Sequence, residues 1–422
     1  MEVFTIAFFH KSNDFFKTTF RALQYKNFRL FWFGQCISLT GTWMQRTAQT
    51  WLVYTVTNSP LMVGLVGVCQ FMPMLLFSLF AGVIVDRFPK KKILLFTQTL
   101  FMIQALIMTL LTFTGVIQYW HILILSFLFG LTQTLDMPAR QSFFVDLVGV
   151  KDLTNAISLN STIVNLARIV GPAVSGIIMV KFGTVLCFSI NAVSYIPVII
   201  GIALITVSGD FVHKSRVNIL PEVIDGIKYI KKSETLIVTV LIMAVACTFA
   251  MNNDVIIPVF SKVVLGRDAN GYSMLLSMAG LGAFLAAVMM AYLSKNGVNK
   301  ILLLVSGVTT AVLQVLTVVT RQYAVCAVLI VLIGFSNLLF INTANSIFQL
   351  NVPNEFRGRV MSVYSFLNMG STPIGNFLAG GVMETLGGDS GFVFCGAVTL
   401  VLLGIIFTVK RKVIGNWIRA KG

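Results

Sequence analysis

Residues 61–92 read LMVGLVGVCQFMPMLLFSLFAGVIVDRFPKKK: 25 positions without a charge, then an acid, an arginine and three lysines within seven residues. An apolar helix of roughly 20 residues, rising 1.5 Å per residue, crosses the ~30 Å hydrocarbon core of a bilayer. The first part is therefore a membrane span and the second its charged exit. The pattern recurs along the chain. Of its 422 residues 57% are hydrophobic and 11% charged, against about 25% charged in an ordinary soluble domain.

Apolar runs bounded by charges, Gly or Pro place spans at 30–56, 61–85, 93–114, 119–145, 155–180 and 183–207, then at 235–264, 270–294, 299–320, 323–349, 359–386 and 390–409. The expectation is an all-α integral membrane protein of twelve transmembrane helices. Residues 1–29 form an N-terminal segment, 30–207 and 235–409 two six-helix bundles, 208–234 a connector and 410–422 a tail. The connector carries His213, Lys214, Arg216, Lys228, Lys231 and Lys232 and reads as amphipathic.

A net charge of +16 would suggest nucleic acid for a soluble protein. Here the placement of the charge speaks for topology instead. Of 31 Lys and Arg, 24 fall on the loops of one side, four (Lys181, Lys262, Arg267, Arg321) on the other, and three (Arg46, Arg140, Arg168) within spans. Since cytoplasmic loops carry the excess of Lys and Arg, both termini and the connector are expected in the cytoplasm and the chain in the cell membrane. The opening MEVFTIAFFHKSNDFF lacks a basic leader and a small-residue cleavage site, so the first span is expected to direct insertion.

The six cysteines fall in apolar stretches with no CxxC pair and read as small packing residues. The three histidines, His10, His121 and His213, have no metal-ligand partner at the usual spacing. Neither a GxSxG elbow nor a GxxxxGKS phosphate loop is present, which argues against acyl transfer and ATP hydrolysis. No cofactor, metal, nucleic acid or ATP is therefore expected, and work done by the protein must draw on a gradient.

The halves resemble each other. Ser142, Phe144, Ser158, Gly171 and Gly176 meet Ser346, Phe348, Ser362, Gly375 and Gly380 at a constant offset of 204, and Lys92, Ile93 and Leu94 meet Lys300, Ile301 and Leu302 at 208. With six spans between equivalent positions, both halves cross in the same direction: a parallel repeat.

GVIVDRFPKKK, with Gly82, Asp86, Arg87, Lys90 and Lys91, resembles the signature loop of the major facilitator superfamily. Gly82 is expected to let a neighbouring helix approach and Pro89 suits the first turn of span three. Asp86 is placed to face the positive N-terminus of span eleven near Arg357–Arg359, a contact typically worth ~0.3 to 1 kcal/mol. In span five, Asn165, Arg168, Gly171, Pro172 and Gly176 resemble the GPxxxG-type motif of superfamily exporters. A structural kink at Pro172 and a mechanistic role both fit. With SLTGTWMQRTAQTWLVYTVTNSP (38–60) and DMPARQSFFVDLV (136–148), the chain is similar to the exporter branch that includes enterobactin and macrolide efflux proteins. The resemblance implies a central cavity, alternating access and proton-driven efflux. The second-half loop LSKNGVNK departs from it, with Ser294 and Lys295 in place of the Asp-Arg pair.

A charge at the bilayer centre costs at least ~2.5 to 3.5 kcal/mol, so ionisable residues in spans are functional candidates. They are Arg46, Asp136, Arg140, Arg168 and Asp254, with Glu384 near the outer end of span eleven. Arg46 and Asp254 are 208 apart, hence equivalent in the repeat and opposite in charge. They are expected to form an external latch, or each is solvated at the membrane interface or pairs within its own half. Asp136 and Arg140 share a helix face and serve structural pairing or proton coupling. Gln45, Gln49, Gln70, Asn160, Asn342 and Asn345 are candidates for the cavity lining. With so few buried charges, a bulky amphipathic or neutral small molecule (drug, siderophore or related metabolite), exported against protons, is the expected cargo. A lipid or lysolipid translocator, or an importer, is the alternative on this scaffold.

Overall fold

The computed structural model describes residues 20–206, 219–293 and 299–419, leaving aside the side chains at 79, 86, 219–224, 291–293, 354 and 358. His213, Lys214, Arg216, Ser294 and Lys295 lie outside the described residues, as do the Asp86 carboxylate and its expected contact with span eleven.

The described chain is helical. It opens with α1 (Lys26–Thr57), α2 (Pro60–Arg87) and α3 (Lys90–Phe113). The run Tyr119–Leu204 is three helices, α4 (119–148), α5 (150–182) and α6 (184–204). They are joined at Gly149 (φ 71°) and Gly183 (φ 77°), positive dihedrals that glycine adopts without strain. A connecting helix, Ile219–Lys231, leads to the second half. There follow α7 (Glu234–Val264, with π turns at Ala246–Ala250 and Phe260–Val264), α8 (Ala269–Leu293), α9 (Ile301–Val319) and α10 (Tyr323–Leu350). Then come α11 (354–386, with a π turn at Phe366–Gly370), α12 (Ser390–Val409) and a tail helix, Arg411–Arg419. Among the described residues, eight helical stretches are long and apolar enough to cross a bilayer, one of them the triple run α4–α6. Their exposed Leu, Ile, Val and Phe suit acyl chains.

Helix bounds shift by a few residues from the sequence reading, and two of the differences have a visible cause. α1 starts at Lys26 rather than 30, because Tyr25 donates to Asp152 Oδ2 (2.7 Å) and Arg21 pairs with the same carboxylate (3.2 Å), which holds the polar first turn against the bundle. The expected loop after span four collapses to a glycine turn, so helix continues through 150–155.

The side chains bury themselves in three cores, and their membership defines the conformation. One core draws only on residues 22–205 and another only on residues 230–417. The third mixes the halves, setting Leu52, Val53 and Tyr54 of α1 against Val255–Phe260 of α7, Tyr272 of α8 and Met383 of α11.

Each end of the described chain is tied to its own half. The Ala22 amide donates to Asn155, Asn27 to the Thr206 carbonyl, and Lys410 pairs with Glu234 at the head of α7 (2.9 Å). The mixed core lies at the opposite end, beside the α1–α2 turn and Tyr119, which donates to the Met62 carbonyl. The halves thus close on each other away from the termini and part towards them.

Candidate functional site

Between the closed seam and the terminal end lies a cavity of about 340 Å³, within the range of small-molecule sites. Its lining comes from residues 35–195, all of the first half. Gln45, Gln49, Gln70 and Asn160 are on its wall; Asn342 and Asn345 are not. Both lie on α10, and Asn345 is occupied by the Gln349 amide one turn along the same helix. The sequence reading missed Gln35, Gln98, Gln133 and Gln141, although amides in apolar helices were the available signal.

Several wall residues are committed to holding helices together. Gln45 donates to Gln104 on α3 (2.9 Å) and accepts from Asn191 on α6 (2.7 Å), while Gln49 donates to Ser126 on α4 (2.8 Å). Asp136, only 4% exposed, accepts from Thr97 and Gln98 (2.7 Å each) and from Arg140, whose other nitrogen reaches Gln35. The i,i+4 pair thus sits inside a network that ties α1, α3 and α4 together, where desolvation makes each hydrogen bond count.

Arg46 and Asp254 meet across the seam, Nη2 to Oδ2 2.5 Å. They are 208 residues apart, and so are Tyr54 and Lys262, whose ammonium lies 4.9 Å from the Tyr54 ring centroid. Repeat-related residues touch only close to the axis that relates them, so α1 and α7 face each other along it. Around them Trp51 stacks on Tyr272 (5.7 Å, 14°), Ser59 donates to Glu384 (2.7 Å) and Ser277 donates to the Ile169 carbonyl (2.9 Å).

The span-five motif divides its work. A Cβ on Gly171 would lie 2.5 Å from Trp43, so this glycine seats α5 on α1 within one half. A Cβ on Gly176 would lie 2.7 Å from Ser273 of α8, across the seam. Its repeat mate Gly380, 204 positions on, sits 2.8 Å by the same measure from the Pro60 carbonyl of α2. Pro172 leaves the backbone helical, and the Asn165 amide bonds back to the Ser161 carbonyl. Arg168 lines the cavity with its guanidinium 5.2 Å from the Trp43 ring; Arg46 lies 5.3 Å from the same ring.

In the signature loop, Lys90 pairs with Asp146 of α4 (2.9 Å). Lys91 donates to the Ala203 and Ile205 carbonyls (2.9 and 2.7 Å), capping the C-terminus of α6. Arg87 is exposed. At Gly82, where a close helix neighbour is expected, a Cβ would meet nothing within 4 Å among the described residues.

A family model described as transmembrane secretion effector matches residues 17–415. The chain belongs to this family of the major facilitator superfamily. It is 26% identical to the staphyloferrin A transporter of Staphylococcus aureus (91% of this chain, 96% of the relative) and 24% identical to the multidrug efflux pump Tap of Mycolicibacterium fortuitum (84% and 88%). It is 20% identical to macrolide efflux protein A of Streptococcus pyogenes (90% and 96%). Solved superfamily folds superpose over nearly the whole chain. The nucleoside transporter NupG gives a TM-score of 0.72 at 11% identity (92% of this chain, 98% of that one), and a bacterial homologue of the lysosomal transporter Spinster 0.71 at 12% (91% and 97%). This superfamily member is a multi-pass membrane transporter, not an enzyme.

Proposed function

We propose that the protein is a secondary active exporter of small amphipathic molecules, working by alternating access against protons, in the cell membrane with both termini cytoplasmic. The observation that carries this reading is the cavity's asymmetry. It is sealed at the end whose loops hold few Lys and Arg and parted at the end that holds most of them, as suits uptake of cargo from the cytoplasm. The relatives named for efflux and the family's description as secretion effectors support the outward direction.

Arg46–Asp254 is the preferred coupling pair. It bridges the halves and its side chains are 31% and 42% exposed, so the carboxylate is open to water and loss of the pair would release the guanidinium. Asp136 is a structural charge on this reading, because it holds three helices at once. One charge moved down 100 mV yields ~2.3 kcal/mol, a concentration ratio of roughly fifty. In inside-out vesicles under an imposed proton gradient, dye uptake is expected to depend on the gradient and to fall about tenfold or more in Asp254→Asn, one decade corresponding to 1.4 kcal/mol. Uptake indifferent to the gradient would replace the antiporter with a facilitator or lipid translocator.

A further inference from the structure

The charges around the cavity do not cancel. Of its three arginines, Arg46 is paired with Asp254 and Arg140 with Asp136. Arg168 remains. Among the described residues it has neither an ion pair nor a hydrogen bond, and its Nε is shut off from solvent without an acceptor. Its guanidinium lies against the Trp43 ring, and the acid within electrostatic reach of it, Asp254, is already paired with Arg46. A π face attracts a cation but does not neutralise it.

While the cavity is open, water solvates what is accessible of this guanidinium. Closure at the terminal end removes that water, and a desolvated charge without a counterion of its own strongly disfavours the closed state. An empty cavity would therefore resist closing, unless something negative entered with the cargo.

We infer that the cargo carries an anionic group, a carboxylate or equivalent oxyanion, that binds Arg168 and permits the loaded cavity to close. The inference rests on the exporter reading and narrows its substrate class. The remaining wall fits the rest of such a molecule. Phe101, Phe129 and Phe144 offer apolar surface. Gln70, Gln133 and Asn160 are on the wall with side chains that make no hydrogen bond among the described residues, free to meet polar groups on the cargo. A guanidinium favours a carboxylate for its planar two-point geometry, and the excess positive charge disfavours a cationic drug.

The probes are carboxyfluorescein, a flat aromatic anion, and ethidium, a flat aromatic cation. Anisotropy measures binding to the intact protein in nanodiscs, and fluorescence measures uptake by inside-out vesicles. Carboxyfluorescein is expected to bind and be taken up, ethidium to do neither. Arg168→Gln should weaken carboxyfluorescein binding about tenfold or more, as for a lost charge-assisted hydrogen bond, with Arg168→Lys in between. Ethidium taken up in preference to carboxyfluorescein overturns the anionic class while leaving the exporter intact. Carboxyfluorescein binding indifferent to Arg168→Gln overturns the anchor. Binding without uptake in any gradient overturns the exporter and leaves the anion site standing; failure of both dyes to bind overturns the inference. The comparison of the two dyes on the unaltered protein holds even if a variant fails to fold.

Discussion

Leucine in place of Gly176 is expected to drive the protein out of the conformation described here and expose the cavity to the outer face. A Cβ at 176 already lies 2.7 Å from the Ser273 Cβ and 3.1 Å from Asn270 Oδ1, and leucine adds three carbons beyond it. The contact exists only while α5 and α8 are together across the seam, so the overpacking cost of typically 1–3 kcal/mol falls on that conformation alone. Such a cost shifts the population by about 5- to 150-fold. With the native cysteines replaced by alanine, labelling of Gln70→Cys by a membrane-impermeant maleimide from outside should rise at least about fivefold. Gly380→Leu, at the equivalent contact of α11 with α2, should act in the same way. Gly82→Leu should not, since its Cβ meets open space among the described residues. Unchanged labelling in Gly176→Leu would mean that this contact does not hold the seam shut.

The same weighing shows what closes the outer end. A partly exposed ion pair contributes about 0–1 kcal/mol, so Arg46–Asp254 alone makes a weak latch. The buried apolar residues shared between the halves supply more, at ≈ 1.5–3 kcal/mol for each fully buried large side chain. The ion pair thus adds only a small bias to a seam closed chiefly by packing.

Asp136→Asn is expected to be the most damaging single change at the cavity. It strands Arg140, whose partner carboxylate is buried at 4% exposure, and breaking a buried pair costs about 3–5 kcal/mol. That is a large fraction of the ~5–15 kcal/mol by which folded proteins are typically stable. Yield and thermal midpoint in detergent should both drop, and the double variant Asp136→Asn/Arg140→Gln should recover much of the loss, because no uncompensated charge remains. Asp254→Asn, in an exposed pair, should leave the midpoint nearly unchanged while impairing coupling. An Asp136→Asn protein as stable as its parent yet inactive would reverse the assignment and make Asp136 the coupling residue.

Much of this protein is legible in its sequence because membrane insertion is a local affair. A segment crosses the bilayer on its own apolar length, and loop charges bias their side on their own count, so composition along residues 61–92 is enough to establish the class of fold. The duplication is equally local, and the offset of 208 identified Arg46 and Asp254 as equivalents before any coordinates did. What they do together is a tertiary matter. Equivalent residues touch only if they lie on the pseudo-two-fold axis, and no offset reveals that. The cavity lining depends on how each helix is rotated about its own axis, which in lipid is decided by small-residue contacts and interhelical hydrogen bonds rather than by hydropathy. Hence Gln35, Gln98, Gln133 and Gln141 line the wall, and Asn342 and Asn345, chemically no different, do not. That Arg168 makes no ion pair among the described residues is decided at the same level, because three arginines and two aspartates in a sequence do not say which cation is left without a partner of its own; only their positions in the folded bundle do.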